Sequence, residues 1–317
     1  MTSRTEKIRS STSNVIRIAD HGISIKYKHI PIGLFSLLVI YYLTCMLPKK
    51  TKIELDIESI LTANKYHHRS SSEEQDENKH VRVKEDWAYI FVGTERVSVF
   101  YREAYPPAGT TVRGNLLLLH GMDHRDVGTS WVWLKRNSMQ VYAMAGFHVI
   151  APDLPGTPKS KTRTSKGELH EEDKGRFMVD FIMKCHDFTR PIVFGASWGG
   201  TFSIPLAMEH PEMVLGHIAM AVVGTDRYTE QQYAKCEVPT LLIHGERDHG
   251  LGYPSADAMK RLPNHQHVVI RNAGHAAFEE QPDSFHKMSI LWLDRLLTAP
   301  DKMSDIHTVD PDRPSLF

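Results

Sequence analysis

Polar and apolar positions divide the chain into five stretches of different character. Residues 1–29 are polar and basic, with Arg4, Lys7, Arg9, Arg17, Lys26 and Lys28 among serines and threonines, which predicts a flexible arm. Residues 30–47 (IPIGLFSLLVIYYLTCML) carry no charge. At about 1.5 Å per residue such a helix reaches roughly 27 Å, close to the hydrocarbon thickness of a bilayer. Residues 48–86 turn polar again, and HHRSSSEEQDENKHVRVKED has almost nothing to bury, which predicts a linker. From Trp87 onward the pattern is that of a folded domain. WAYIFV and RVSVFY alternate around Gly93-Thr94-Glu95, a hairpin signal. After Pro106-Pro107 the chain repeats strand then helix: 115–119 and 131–145, 148–151 and 175–185, 192–195 and a helix from 200. Strands at 217–223, 240–243 and 267–270 follow, with a closing helix over 284–297. This predicts an α/β domain over 87–298 with an eight-stranded, mostly parallel sheet covered on both faces, and a tail over 299–317.

The charge-free run is expected to be a transmembrane anchor. Tyr41 and Tyr42 suit the interface, and Lys49, Lys50 and Lys52 end the run. A cleaved signal peptide would have a shorter apolar core and small residues at its end, and this run ends in Met-Leu-Pro-Lys. A buried core helix is the other alternative, and the polar linker argues against it. The expectation is a single-pass membrane protein of the type II signal-anchor kind, its folded domain C-terminal to the anchor, with a cytoplasmic pool as the alternative. Basic residues flank both ends alike, so the positive-inside rule does not choose the orientation.

Bulk properties exclude several classes. A formal net charge of zero gives no reason to expect a nucleic-acid partner. Three cysteines, Cys45, Cys185 and Cys236, allow at most one disulfide. There is no Asn-x-Ser/Thr sequon. The 19 histidines come without an H-E-x-x-H or C-x-x-C pair, so no metal site is expected.

Chemistry concentrates at PIVFGASWGGT, residues 191–201. An apolar strand that passes into a helix within two or three residues must turn sharply, and Gly195 and Gly199 flank Ser197 where side chains would not fit. This is the G-x-S-x-G nucleophile elbow, with the backbone N–H of Trp198 aimed at a developing oxyanion. A nucleophile needs a base, and the base an acid. TLLIHG is followed by Glu246-Arg247-Asp248 and HVVIR by Asn272-Ala273-Gly274-His275, so the order Ser197, Asp248, His275 falls on loops leaving successive strands. Glu246 and Asp153 are the substitutes for the acid, Asp153 coming too early for the usual order. The second oxyanion donor is expected from NLLLLHGMDH, where Gly121 permits a tight turn and Met122 offers its N–H. His120 is expected to orient that loop. Only 225–239 separates the sixth strand from the seventh, room for one crossover helix and no large lid, so the site should be open and suit a short acyl group carried on something larger.

LLLLHGM, VIAPDLPG, GASWGG, TLLIHGERD and NAGH in this order resemble the α/β-hydrolase superfamily, and residues 96–298 are similar to the abhydrolase domain-containing protein 14 family. FYREAYP, GTDRYTEQQYAKCEVPTLLIHGERD and LPNHQHVVIRNAGH carry that closer likeness, and the anchor with its linker makes the chain look like the A branch. The B-branch elbow reads Ser-x-Ser-x-Gly, and Gly195 takes the general superfamily form instead. The resemblance implies an α/β-hydrolase fold and a serine hydrolase acting on small acyl esters without cofactor. For the soluble branch it implies acyl transfer from lysine to coenzyme A, so an acyltransferase or protein-lysine deacetylase is the alternative, with an acylated protein as substrate. A non-catalytic, membrane-tethered interaction module is the alternative of another class.

Overall fold

The computed structural model describes residues 14–18, 23–27, 81–122, 129–161, 169–300 and 308–309. The expected anchor at 30–47 and all of the expected linker except 81–86 lie outside the described residues. Among the described residues no helix is long and apolar enough to cross a membrane. Two compact units are distinguished, Met1–Leu55 and Asp56–Phe317. In the first, β1 (Asn14–Ile18) pairs antiparallel with β2 (Ile23–Tyr27), from Asn14 opposite Tyr27 to Ile18 opposite Ile23. Local pairing thus exists inside the segment expected to be a flexible arm.

The second unit is built on one sheet. Its strands are β3 (Val83–Val92), β4 (Glu95–Ala104), β5 (Gly114–Leu119), β6 (Phe147–Pro152), β7 (Ile192–Ala196), β8 (Gly216–Met220), β9 (Thr240–Gly245), β10 (His265–Ile270) and the two-residue β11 (Thr308–Val309). They lie in the order β11-β10-β9-β8-β7-β5-β6-β4-β3. The first two are antiparallel to their neighbours and all later pairings are parallel. All eight expected strands are present in an α/β-hydrolase arrangement. The ninth adds the stretch expected to be tail to the sheet edge beside β10.

Helices cover both faces. One face carries α3 (Lys174–Lys184), α4 (Gly200–Glu209), α5 (Glu230–Tyr233) and α6 (Gly252–Met259), whose Phe177, Phe181, Phe202, Leu206, Tyr233 and Met259 share a core with Leu117, Val193 and Leu242. The other carries α1 (Trp131–Lys135), α2 (Ser138–Met144), α7 (Ala277–Glu280) and α8 (Pro282–Thr298). Phe194 packs there between Trp133, tilted at 4.9 Å, and Phe285, stacked at 5.6 Å. Val193 and Phe194 point opposite ways because successive strand residues alternate faces, and both are buried because the sheet is covered twice. This accounts for the unbroken apolar runs in β5, β6 and β7.

Three departures from the sequence pattern have a clear physical cause. Strand β3 starts at Val83 rather than Trp87, because Lys84, Glu85 and Asp86 are paired with β4 and Glu85 accepts from Arg102 Nη2 at 2.7 Å. A single helix expected over 131–145 is two, broken where Asn137 takes a left-handed φ of 55°, a conformation asparagine tolerates better than most. Strand β8 stops at Met220, because Ala221 turns to φ 44°.

Candidate active site

Strand β7 hands over to α4 within one short turn, and Ser197 at its centre has φ 48°. That region disfavours residues other than glycine and persists only where the surroundings hold it. The flanking glycines explain what holds it. A Cβ on Gly195 would lie 2.0 Å from Ser203 Oγ, and one on Gly199 would lie 2.6 Å from the Leu119 carbonyl oxygen. One on Gly200 would lie 2.5 Å from Val222 Cβ. The elbow is therefore packed on three sides with no room for a side chain at any of these glycines. Behind it, Ser203 Oγ and His217 Nε2 lie 2.9 Å apart, both fully buried, with burial driving His217 down to about 3.

The side chains expected to cooperate are brought together. His275 Nε2 lies 2.9 Å from Ser197 Oγ, and His275 Nδ1 lies 2.7 Å from Asp248 Oδ2. Asp248 is buried while the His275 side chain is 45 % exposed, so the line runs from the interior to an open surface. Burial of Asp248 works to raise its pKa. The hydrogen bond and charge of His275, with the N–H groups of Leu251 and Gly252, outweigh it and hold the carboxyl below its usual range. Both substitute acids are otherwise engaged. Glu246 Oε2 accepts from the Asn272 N–H at 2.9 Å and so braces the loop that carries His275. Asp153 Oδ1 accepts from Ser130 N at 2.7 Å and Ser130 Oγ at 2.5 Å at the start of α1.

Two peptide groups next to Ser197 are pinned by their carbonyls. The Ser197 carbonyl accepts from Val223 N at 2.9 Å, so the N–H of Trp198, across the same trans peptide, points the opposite way. The Gly121 carbonyl takes His120 Nδ1 at 2.8 Å, so the N–H of Met122 is likewise turned away from the His120 ring. His120 Nε2 accepts from Leu154 N at 2.9 Å, which fixes the neutral tautomer with its proton on Nδ1. Burial lowers this histidine to about 4 and keeps it neutral, so it orients the loop as expected. Gly121 comes so close that a Cβ there would be 3.1 Å from Ser197 Cβ.

A clamp not evident in the sequence lies on the far side of the elbow. Lys174 Nζ donates to Thr201 Oγ1 at 3.2 Å, and Thr201 Oγ1 donates to the Trp198 carbonyl at 2.9 Å. No motif marks Lys174, because its position comes from α3 packing beside α4. Between β8 and β9 there is only a 3-10 turn, Thr225–Arg227, and the four-residue α5, so no lid is inserted there. Among the described residues no group of three or more His, Cys, Asp or Glu is arranged to hold a metal ion.

Residues 114–226 match the alpha/beta hydrolase fold family. The putative protein-lysine deacylase ABHD14B of Rattus norvegicus is 31% identical over 189 residues, 60% of this chain and 87% of that relative. Protein ABHD14A of Danio rerio is 31% identical over 203 residues, 62% of this chain and 72% of that relative. The chain belongs to the ABHD14 family of α/β-hydrolases. Among solved structures, a predicted CIB-like hydrolase from Thermoplasma acidophilum covers 68% of this chain and all of its own at TM-score 0.57 and 24% identity, a likeness of fold. As an ABHD14 member, the chain is a hydrolase.

Proposed function

We propose that this chain is a serine hydrolase that cleaves small acyl esters through an acyl-enzyme. Ser197 Oγ attacks the acyl carbonyl as His275 Nε2 takes its proton. Asp248 holds the His275 tautomer and stabilises the imidazolium, and the N–H groups of Trp198 and Met122 receive the oxyanion. His275 then returns the proton to the leaving group, and water repeats the sequence to release the acid. The observation that carries this reading is the unbroken line from Asp248 Oδ2 through His275 to Ser197 Oγ, at 2.7 and 2.9 Å.

A second reading follows from the relative named a putative protein-lysine deacylase and from the exposed histidine. The same acyl-enzyme would form from an acylated lysine side chain on a protein, which a site without an inserted lid could admit. The acyl group would then pass to water or to a thiol such as coenzyme A.

Turnover of a chromogenic acetyl ester by the full chain tests the proposal. Ser197→Ala should abolish it. Asp248→Asn should lower turnover by up to about 10⁴-fold, the loss typical when a triad's acid becomes an amide, with little change in KM. Equal turnover in Ser197→Ala would refute the reading. Acyl product on an added thiol would favour the transferase form.

A further inference from the structure

Strand β3 ends the described sheet on the side of β4, and its outward face has an unusual composition. Along β3 the residues alternate, with Ala88 and Ile90 buried and Trp87, Tyr89 and Phe91 exposed by 43, 47 and 59 %. A solvated strand face is ordinarily polar, and here three successive outward positions are aromatic. Beneath this row Trp87 meets the buried Phe100 edge-on at 5.3 Å, and the buried Arg102 guanidinium lies 4.9 Å from the Phe100 ring and 5.8 Å from the ring of Trp131, itself 55 % exposed. Two exposed cations sit among the rings, Arg96 over Tyr89 at 4.7 Å and Lys159 over Phe100 at 3.7 Å.

Register places this patch at the end of the sheet where Ser197 lies. Strand β4 pairs with β6 from Ala104 opposite Val149 to Tyr101 opposite Pro152, the last residue of β6. The hairpin from Phe100 back to Trp87 thus overhangs the carboxyl ends of the parallel strands, by roughly 20 Å if extended at about 3.3 Å per residue. Trp131 opens α1, directly after Ser130, which Asp153 holds at that same end.

We propose that this aromatic hairpin face docks on the headgroup layer of a lipid bilayer carrying anionic lipids. Tryptophan and tyrosine concentrate at membrane–water interfaces, where an apolar ring with a polar edge fits neither pure phase. Interleaved arginine and lysine add attraction to an anionic surface. The sequence supplies the reason a bilayer would be near: the uncharged run at 30–47, of bilayer-spanning length, is joined to β3 through residues 48–82. Docking here would set the open end of the domain beside the membrane surface, where an acyl substrate held at the interface could reach it. A second copy adding to the β3 edge would cover the same rings, and the experiment separates the two.

The full chain is reconstituted in phosphatidylcholine vesicles with and without phosphatidylserine, and tryptophan emission is quenched with brominated phosphatidylcholine. Quenching is expected in the wild type and should be stronger with phosphatidylserine. Much of it should be lost in Trp87→Phe/Trp131→Phe, whose far-ultraviolet circular dichroism and turnover of a soluble ester should match the wild type. Quenching identical in the double variant and the wild type would overturn the proposal. So would crosslinking of Phe91→Cys to itself between copies with quenching absent, which would assign the face to a second copy.

Discussion

The carbonyl of Gly121 is held by the imidazole of His120 at 2.8 Å. This bond decides where the Met122 N–H can point, and it depends on a ring whose other nitrogen is occupied by the Leu154 N–H at 2.9 Å. His120→Ala removes the brace and leaves both backbone groups without it. Turnover is expected to fall by about 100- to 1,000-fold, the range for losing one oxyanion donor, with KM nearly unchanged. Stability should drop by about 1–3 kcal/mol from the orphaned polar groups. Steady-state kinetics with a thermal melt would check both, and an unchanged kcat would separate His120 from the oxyanion loop.

Gly195 and Ser203 compete for one space. A Cβ at 195 falls 2.0 Å from Ser203 Oγ and 2.8 Å from Ser203 Cβ, in a region with no slack. Gly195→Ala is expected to destabilise the domain by about 1–3 kcal/mol, the usual cost of overpacking. Ser203→Gly in the same chain should recover part of that loss, although on its own it removes the 2.9 Å contact with His217 and destabilises. Denaturant midpoints of the two single variants and the double variant give the coupling. Strict additivity would contradict the packing account.

Acid should weaken the domain through histidines buried without charge. Burial lowers His120 and His286 to about 4 and His217 to about 3, from an ordinary 6.5. A group whose folded pKa is depressed binds its proton first in the unfolded chain, so stability declines as pH falls from about 6.5 toward these values and is unaffected by them above about 7. Each such group contributes up to about 1.4 kcal/mol per pH unit in that window. The lowered carboxyl of Asp248 acts in the same direction at lower pH still. Thermal melts from pH 7.5 to 4.5 should show a falling Tm, with a shallower slope in His217→Gln. A Tm that rises on acidification would contradict these assignments.

Much of the site was legible because its chemistry demands particular residues at particular turns. Gly195, Ser197 and Gly199 declare a sharp turn, and Asp248 and His275 each follow an apolar strand by a few residues, so strand order alone brings them to one end of the sheet. What the sequence pattern missed depends on partners far away in the chain. Nothing about Lys174 announces that it would brace Trp198 through Thr201, because that contact exists only once α3 lies against α4. The early start of β3 was hidden for a similar reason. Lys84, Glu85 and Asp86 read as linker by composition, yet pairing with β4 and the bond to Arg102 draw them into the sheet. The break at Asn137 was hidden because the polar run 135–138 that contains it fits the solvent face of one continuous helix as readily as a turn.

Labelling by a fluorophosphonate probe, with the adduct located by peptide mass, tests the central claim most directly. The account predicts one adduct, on Ser197, formed by the wild type, absent in Ser197→Ala and strongly slowed in His275→Ala. A wild-type chain that does not label, or a Ser197→Ala chain that labels as fast, would contradict it.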